Sequence, residues 1–381
     1  MISYKELIEI RKQLHQNPEH SGKEKITASF ILSFLKKFQP TSIKTDLYGY
    51  GLAAIYDSKK PGPTIVFRAE LDGLPIIEKN NFKHISQNPG YSHACGHDGH
   101  MTILLGMASY LNYHLDEIKG KIVLLFQPSE ENAEGAEKIS KSSFYKNLKP
   151  DYIYALHNIP GYKQGTLVIK NGVFSIASKG IIIELNGETT HAGNPDQGNN
   201  PVYAMAKIIK KIKNISDEYQ TKYKQSFITI IHVKLGEMAF GTSPGTGIIM
   251  ATLRAPNNKI LRQMGEQLTT SISKISDRFN LENSIRWLEE FPVTNNNTNA
   301  VYILEQAAKH MNSEIVKIQE PFLWTEDFAY FLEKTSGSIF GLGAGLNHAP
   351  LHSQNYDFPD TIINHGIKIF IQIIKKINSN I

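Results

Sequence analysis

TIVFRAEL, from Thr64 to Leu71, and KIVLLF, from Lys121 to Phe126, are apolar runs with the length and continuity of strands buried on both faces. Between them MTILLGMASYL, Met101 to Leu111, is longer and rich in Ala, Met and Leu, which predicts a helix. Farther along, EGAEKISKSSFY (Glu134 to Tyr145) reads as an amphipathic helix and YIYAL (Tyr152 to Leu156) as another strand. Strands separated by helices predict an α/β domain, a mixed, mostly parallel sheet flanked by helices.

The middle of the chain has a different rhythm. KGIIIELNG (Lys179 to Gly187) is a strand and PVYAMAKIIKKIKNISDEY (Pro201 to Tyr219) a long amphipathic helix. FITIIHVKLG (Phe227 to Gly236) and GIIMATLRA (Gly247 to Ala255) read as strands, NKILRQMGEQLTTSISKISDRF (Asn258 to Phe279) as a helix, and NSIRWLEEF (Asn283 to Phe291) as a strand. The order β-α-β-β-α-β is that of a ferredoxin-like α+β unit. The expected organisation is therefore residues 1–175 and 291–381 as one α/β domain, interrupted by an inserted domain over 176–290. After the loop at Asn295 to Asn299, SIFGLG (Ser338 to Gly343) supplies a strand and TIINHGIKIFIQIIKKI (Thr361 to Ile377) a closing amphipathic helix.

With 381 residues and roughly 150 per domain, two or three domains are expected. The chain is 41% hydrophobic and 20% charged, as in a protein with a substantial core. A net charge of +5 without a dense basic run disfavours nucleic acid as the main partner. No apolar stretch approaches the roughly 18 residues of a membrane span, and the N-terminus lacks the apolar centre of a secretory signal. One cysteine excludes an internal disulfide and fits a reducing compartment, so a cytoplasmic location is expected.

That cysteine lies in HACGHDGH, His93 to His100, between a strand and a helix, where α/β sheets gather their ligands. Three readings compete for Cys95: a small core residue, a nucleophile activated by His97, or a metal ligand together with His97. Polar residues and glycines around Cys95 weaken the first. QPSEENAEGAE, Gln127 to Glu137, places Glu130 and Glu131 directly after a strand, where one carboxylate can bind a metal while the other faces water as a base. The same pair would also suit a helix start. His157 directly follows the strand Tyr152 to Leu156, at the same topological level. LNHAPLHSQNYDFPD, Leu346 to Asp360, offers His348 and His352 after another short strand, and TEDFAYF (Thr325 to Phe331) offers Glu326 and Asp327 as partners for ligands, or a helix start capped by Thr325. In the inserted domain GETTHAGNPDQGNNP carries His191 in a Gly/Asn/Pro-rich loop, and Arg254 could pair with a substrate carboxylate or be an ordinary exposed strand residue.

RKQLHQNPEHSGKE, RAELDGLP, HACGHDGHM, FQPSEENAEGAE, ALHN, THAGNPDQGNNP, TEDFAYF and LHSQNYDF occur in this order over nearly the whole chain. Together they resemble the aminoacylase/carboxypeptidase metallopeptidases, in the amidohydrolase branch that holds hippurate, N-acyl-amino-acid and auxin-conjugate hydrolases and N-acetyldiaminopimelate deacetylases. The resemblance implies a zinc-exopeptidase-like catalytic domain with an inserted lid and dimerisation domain. It also implies two divalent metal ions, of zinc, manganese, cobalt or nickel, held by Cys95, His97, Glu131, His157 and His352. Glu130 falls on the family's general base and His191 on a lid histidine that reaches substrate across a dimer interface. Arg254 is the candidate for the substrate's carboxylate. His93, His100 and His348 fall on no ligand position.

The implied reaction is hydrolysis of an N-acyl amino acid to a free amino acid and a carboxylic acid. The alternatives are a peptidase acting on small peptides, a deacetylase of N-acetyldiaminopimelate, a cysteine amidase, and a silent binder of small amides. Two departures bear on substrate preference: RAELDGLP has Glu70 where the family has Asp, and PFLW, before TEDF, is bulkier than the family's small residues.

Overall fold

In a computed structural model that describes residues 1–379, the strands in chain order are β1 (Ser42–Leu47), β2 (Gly51–Asp57), β3 (Thr64–Glu70), β4 (Lys121–Gln127), β5 (Tyr152–Pro160), β6 (Leu167–Ile169), β7 (Gly172–Ser175), β8 (Ala177–Asn186), β9 (Thr190–His191), β10 (Phe227–Leu235), β11 (Thr242–Ser243), β12 (Thr246–Ala255), β13 (Glu282–Phe291), β14 (Thr294–Asn296), β15 (Ile315–Lys317) and β16 (Ser336–Gly345). The helices are α1 (Tyr4–His15), α2 (Lys25–Lys37), α3 (His97–His114), α4 (Gly135–Lys141), α5 (Ser143–Leu148), α6 (Val202–Lys222), α7 (Asn258–Arg278), α8 (Thr298–His310), α9 (Ala329–Leu332) and α10 (Ile363–Ser379).

The chain divides into two units: residues 1–174, 294–321 and from 326 onward form the first, and residues 175–293 with 322–325 the second. The first is built on an eight-stranded sheet ordered β1-β2-β4-β3-β5-β16-β6-β15. Its centre, β4-β3-β5-β16, is parallel throughout, whereas β1, β2 and β6 make antiparallel pairings. The apolar runs form those central strands because both faces are covered: Val66, Phe67, Val123, Leu124, Ile153 and Tyr154 are all buried. The mixed sheet flanked by helices is the architecture expected from the sequence.

Several details differ. The predicted helix 101–111 begins earlier, so α3 carries His97 in its first turn, and nearly all of it is buried. β5 continues through His157 to Pro160, so that histidine is a strand residue rather than the residue after one. The predicted helix 134–145 is broken at Ser142, whose extended backbone (ψ 159°) ends α4 while its hydroxyl accepts the Tyr145 amide and caps α5.

In the second unit β10-β12-β8-β13 form an antiparallel sheet, the ferredoxin-like order. β12 alternates buried and half-buried residues, and its inward set joins Ile208 and Ile212 of α6 and Met264 and Leu268 of α7 in a separate apolar core. His191, in β9, is exposed and accepts the Gly193 amide at Nδ1 (3.0 Å). Arg254 donates from Nη1 to the carbonyl of Leu323 at 2.6 Å, tying β12 to the segment 322–325.

Candidate metal centre

The first unit's candidate residues gather at the carboxyl ends of its central parallel strands, where α/β sheets place their sites. β3 ends in Glu70 and leads to Asp72, β4 leads to Glu130 and Glu131, β5 contributes His157, and the loop after β16 brings His352. Cys95 and His97 flank Gly96, which caps α3 with φ 90°. A Cβ there would lie 2.6 Å from Asn158 Oδ1, so only glycine permits the turn that aims both neighbours into the cluster.

Two sets of ligand atoms share the thiol. Cys95, His97 and His157 form one and Cys95, Glu131 and His352 the other, with the atoms of each set lying within 4.8 Å of one another. Cys95 Sγ is 3.4 Å from His157 Nε2. Glu131 Oε1 is 3.9 Å from both His97 Nε2 and His352 Nε2. The two carboxylate–imidazole separations are too long for hydrogen bonds, and all three suit atoms bonded to a common ion at about 2.0–2.3 Å.

The neighbouring bonds choose which atoms face inward. His97 Nδ1 donates to the Asp72 carbonyl at 2.8 Å, and His157 Nδ1 to the Asn158 carbonyl at 2.9 Å. Each Nε2 is thereby left as the lone-pair nitrogen, the tautomer a metal requires. His97 Nε2 and Glu131 Oε1 are buried with no hydrogen-bond partner, and burying such atoms unpaired is costly. The donor set of thiolate, imidazoles and carboxylate fits a transition metal. The residues present fit a pair of divalent cations, which the two sets would hold.

The electrostatics say the same. Burial, helped by Glu326, Glu131 and Asp327, holds the Glu130 carboxyl well above the usual carboxylate range. Burial also lifts Glu131, to about 7. Burial and the Glu131 and Glu130 carboxylates push the Cys95 thiol up. Burial opposes the charge on His97, yet the hydrogen bond to Asp72 and the charges of Glu70 and Glu131 raise it to about 10. Burial lowers His157 to about 3. The cluster is thus too negative for its depth, a condition that added cations relieve.

Glu130 and Glu131 do not diverge as neighbours on a strand would. Ser129 and Ala133 take left-handed backbone angles, φ 55° and 63°, and the turn sends both carboxylates toward His97, with Glu130 Oε2 4.0 Å from Nε2. They part at the other oxygen: Glu130 Oε1 accepts the Asp327 amide at 3.5 Å. His352 itself is left-handed (φ 61°) and 52% exposed, the open side of an otherwise buried cluster.

Beneath lies a network that sequence reasoning missed. Arg68, fully buried, binds Glu70, Glu326 (3.0 Å) and Asp327 (2.7 Å), and its Nε donates to Gln127 at 2.8 Å. Glu70 Oε2 is 2.7 Å from His100 Nδ1, and His100 in turn bonds Asn158. Glu326 and Asp327 therefore pair with Arg68, and Asp327 reaches Glu130 only through its amide; neither is preceded by a Thr325 helix cap, since α9 begins at Ala329 without one. The buried runs that hide Arg68 gave no sign of its partners. His93 is buried with both ring nitrogens unbonded, and burial lowers it to about 4. His348 packs against Tyr356.

Among known proteins, residues 66–376 match the peptidase family M20/M25/M40. An N-acetyl-L-cysteine deacetylase of Bacillus subtilis (strain 168) is 32% identical over 348 residues, 90% of this chain and 82% of the relative. An N-acetyldiaminopimelate deacetylase of Priestia megaterium is 29% identical over 351 residues, 91% of this chain and 92% of the relative. Among solved structures, a Bacillus subtilis protein described as a dinuclear metal binding peptidase from the M20 family matches with a TM-score of 0.81 at 24% identity, over 99% of each chain. A putative aminohydrolase from methicillin resistant Staphylococcus aureus matches with 0.85 at 23%, over 98% of this chain and 96% of that one. At such identities the two structures establish a common fold.

Proposed function

The chain belongs to peptidase family M20/M25/M40, and we propose that it is a metal-dependent amidohydrolase cleaving N-acyl amino acids to a carboxylic acid and a free amino acid. The relatives named as deacetylases of N-acetyl-L-cysteine and N-acetyldiaminopimelate support an N-acyl amino acid as the substrate class. Cys95, His97, Glu131, His157 and His352 would hold the cations, for which zinc, manganese, cobalt and nickel suit the donor set. The chemistry supplied there by divalent cations, when bound, is Lewis-acid activation of a water and of the scissile carbonyl.

The observation that carries this reading is the division of labour at Glu130 and Glu131. Glu131 Oε1 faces two imidazole nitrogens as a ligand does, whereas Glu130, beside it, turns Oε1 to the Asp327 amide, and burial with the neighbouring carboxylates favours its holding a proton. Glu130 takes a proton from the attacking water as the new C–O bond forms. It returns that proton to the amine nitrogen as the C–N bond breaks. A cysteine nucleophile is disfavoured, because Cys95 among carboxylates keeps its proton and only a cation makes it a thiolate. His191 is assigned to the oxyanion and Arg254 to the substrate carboxylate, the latter having to exchange its bond to the Leu323 carbonyl.

A homodimer through the second unit is supported by β10, an edge strand bearing exposed Ile231 and Val233, and by protruding Met238 and Phe240 in the loop after it. No helix among the described residues is long and apolar enough to cross a membrane, and a cytoplasmic location is proposed from the lone cysteine. The test is N-acyl-amino-acid turnover with added Mn²⁺, Zn²⁺, Co²⁺ or Ni²⁺. Glu130→Ala should lower kcat by about 10²-fold or more while keeping bound metal; equal loss of metal would make Glu130 a ligand, and full turnover in chelator would end the metal reading.

A further inference from the structure

The turn that carries Glu130 closes tightly on one side. Ser129 O accepts the amides of Glu134 (3.2 Å) and Gly135 (2.9 Å), and a Cβ at Gly135 would lie 1.7 Å from the Pro128 carbonyl oxygen. The left-handed angle at Ser129 is one that L side chains disfavour, so something must hold it.

Two backbone amides bracket Glu130, and each donates to a buried carboxylate from elsewhere in the chain. The Glu131 amide donates to Asp72 Oδ2 at 3.0 Å, and the Ser129 amide to Glu24 Oε1 at 2.8 Å. Asp72 belongs to the cluster already described. Glu24 does not: it enters from the loop between α1 and α2. The same loop sends the Ser21 hydroxyl to Asp72 Oδ2 (2.7 Å), and Glu24 Oε1 also accepts the Gly22 amide (2.8 Å), which stiffens the loop around its own carboxylate.

Glu24 is fully buried, and its second oxygen, Oε2, has no hydrogen-bond partner. A carboxylate half satisfied in an interior is a costly way to fill space, and packing alone would be served better by an apolar residue. What an apolar residue could not do is accept the Ser129 amide. With the Ser129 amide fixed, the Pro128–Ser129 peptide that enters the turn is set, and with the Glu131 amide fixed, so is the Glu130–Glu131 peptide that leaves it; the one peptide between these anchors follows the left-handed Ser129, which limits the direction of the Glu130 side chain.

We infer that Glu24 is a positioning residue for the hydrolytic base, orienting Glu130 through the Ser129 amide without touching cation or substrate. The inference rests on the reading of Glu130 as that base. It is tested on the metal-loaded full-length protein with N-acetyl-L-cysteine and N-acetyldiaminopimelate as probes, measuring kcat, KM and bound metal for Glu24→Ala, Glu24→Asp and Glu24→Gln. Asp keeps the charge but, one methylene shorter, withdraws the oxygen; Gln keeps an acceptor oxygen in place without the charge.

The expected result is a kcat loss of about 10–100-fold for Ala and Asp, with KM and metal content little changed, while Gln stays within about threefold of wild type. Retained kcat in Ala or Asp, activity lost only in step with metal, or a Gln variant as impaired as Ala would each overturn it. Should Glu24→Ala not fold, the Asp and Gln pair decides alone. If the metal-loaded wild type turns over neither probe, the functional reading itself falls and this inference with it; an active wild type with unaffected variants removes the inference only.

Discussion

Two buried arginines, Arg11 and Arg68, each face three carboxylates, and the two clusters differ in how the negative charge is answered. Arg11 binds Asp98, Asp357 and Asp360, but Asp357 and Asp360 remain 30% and 25% exposed. His15 joins it as a second cation, 2.8 Å from Asp98 and 3.1 Å from Glu78. Burial works against ionised Asp98, yet His15 and Arg11 hold it well below its usual range. Arg68 is helped at Glu70, which His100 also bonds, but its three acids are all buried, and Glu130 and Glu131 crowd the same side. There burial, with Glu326 next to it, pushes Asp327 well up. In the first cluster Arg11, His15 and the solvent at Asp357 and Asp360 answer the carboxylates, and the cluster fastens α1 to the first turn of α3. The second is short of positive charge where the candidate ligands converge.

The comparison breaks most sharply at Arg68. Arg68→Met would leave Glu70, Glu326 and Asp327 buried without their cation, and stability at pH 7 should drop by roughly 3–5 kcal/mol in urea denaturation. Part of the loss should return at pH 5, where carboxylates with raised pKa take up protons. An unchanged midpoint would mean that solvent reaches the cluster and that its charge is not in deficit.

Cations supply the missing charge, so they should stabilise the fold as well as activate it. At about a thousandfold excess over Kd, Mn²⁺ or Zn²⁺ should add about 4 kcal/mol, seen as a rise in Tm. Glu130→Ala should keep most of that increment and Glu131→Ala should lose most of it. The reverse order would exchange base and ligand.

The parallel centre of the sheet was legible because β3, β4 and β5 are continuous apolar runs, and the second unit because its strands and helices keep clean periods of 2 and 3.6. Of the cluster, Glu131 and His157 could be picked out as polar residues at strand ends, whereas Cys95 and His97 stand at the start of α3, and the set of five with His352 was implied by the resemblance of the motifs. What periodicity cannot report is pairing. Arg68 lies within a run read as apolar, which shows nothing of its distant partners Glu326 and Asp327, and nothing in HSGKE marks Glu24 as wholly buried. His157 looked like a loop residue because polarity at a strand end resembles polarity beyond it, and only the pairing of β5 with β16 carries the strand to Pro160.

The Arg11 cluster can be tested by pH without touching the metal site. Burial disfavours charged His15, but its hydrogen bonds to Asp98 and Glu78 outweigh that and raise it to about 9, above the ordinary imidazole value of about 6.5. The folded state therefore holds a proton that the unfolded chain releases, so this stabilisation is full below about pH 6.5 and fades as pH rises through 9. At most about 3 kcal/mol should be lost over that window, and His15→Gln should flatten the profile there. A wild-type profile already flat from pH 6.5 to 9 would place a neutral imidazole between two carboxylates.

The smallest effect on folding belongs to His352, and its smallness is informative. Its side chain is half exposed, its pKa is lowered by burial and then by His97, and its backbone rather than its ring anchors it, through the Ala94 carbonyl at 2.9 Å. In metal-free protein, His352→Ala should shift stability by less than about 0.5 kcal/mol, as a surface change does. With metal present the same substitution should cost one of the two cations, because Cys95 and Glu131 alone remain for that set, while the more buried set of Cys95, His97 and His157 stays filled. A metal count unchanged by His352→Ala would confine the cations to the buried side and leave the exposed histidine outside the coordination shell; a large loss of stability without metal would instead make His352 part of the fold, blurring the distinction between a cluster answered by Arg11, His15 and solvent and one completed by cations from solution.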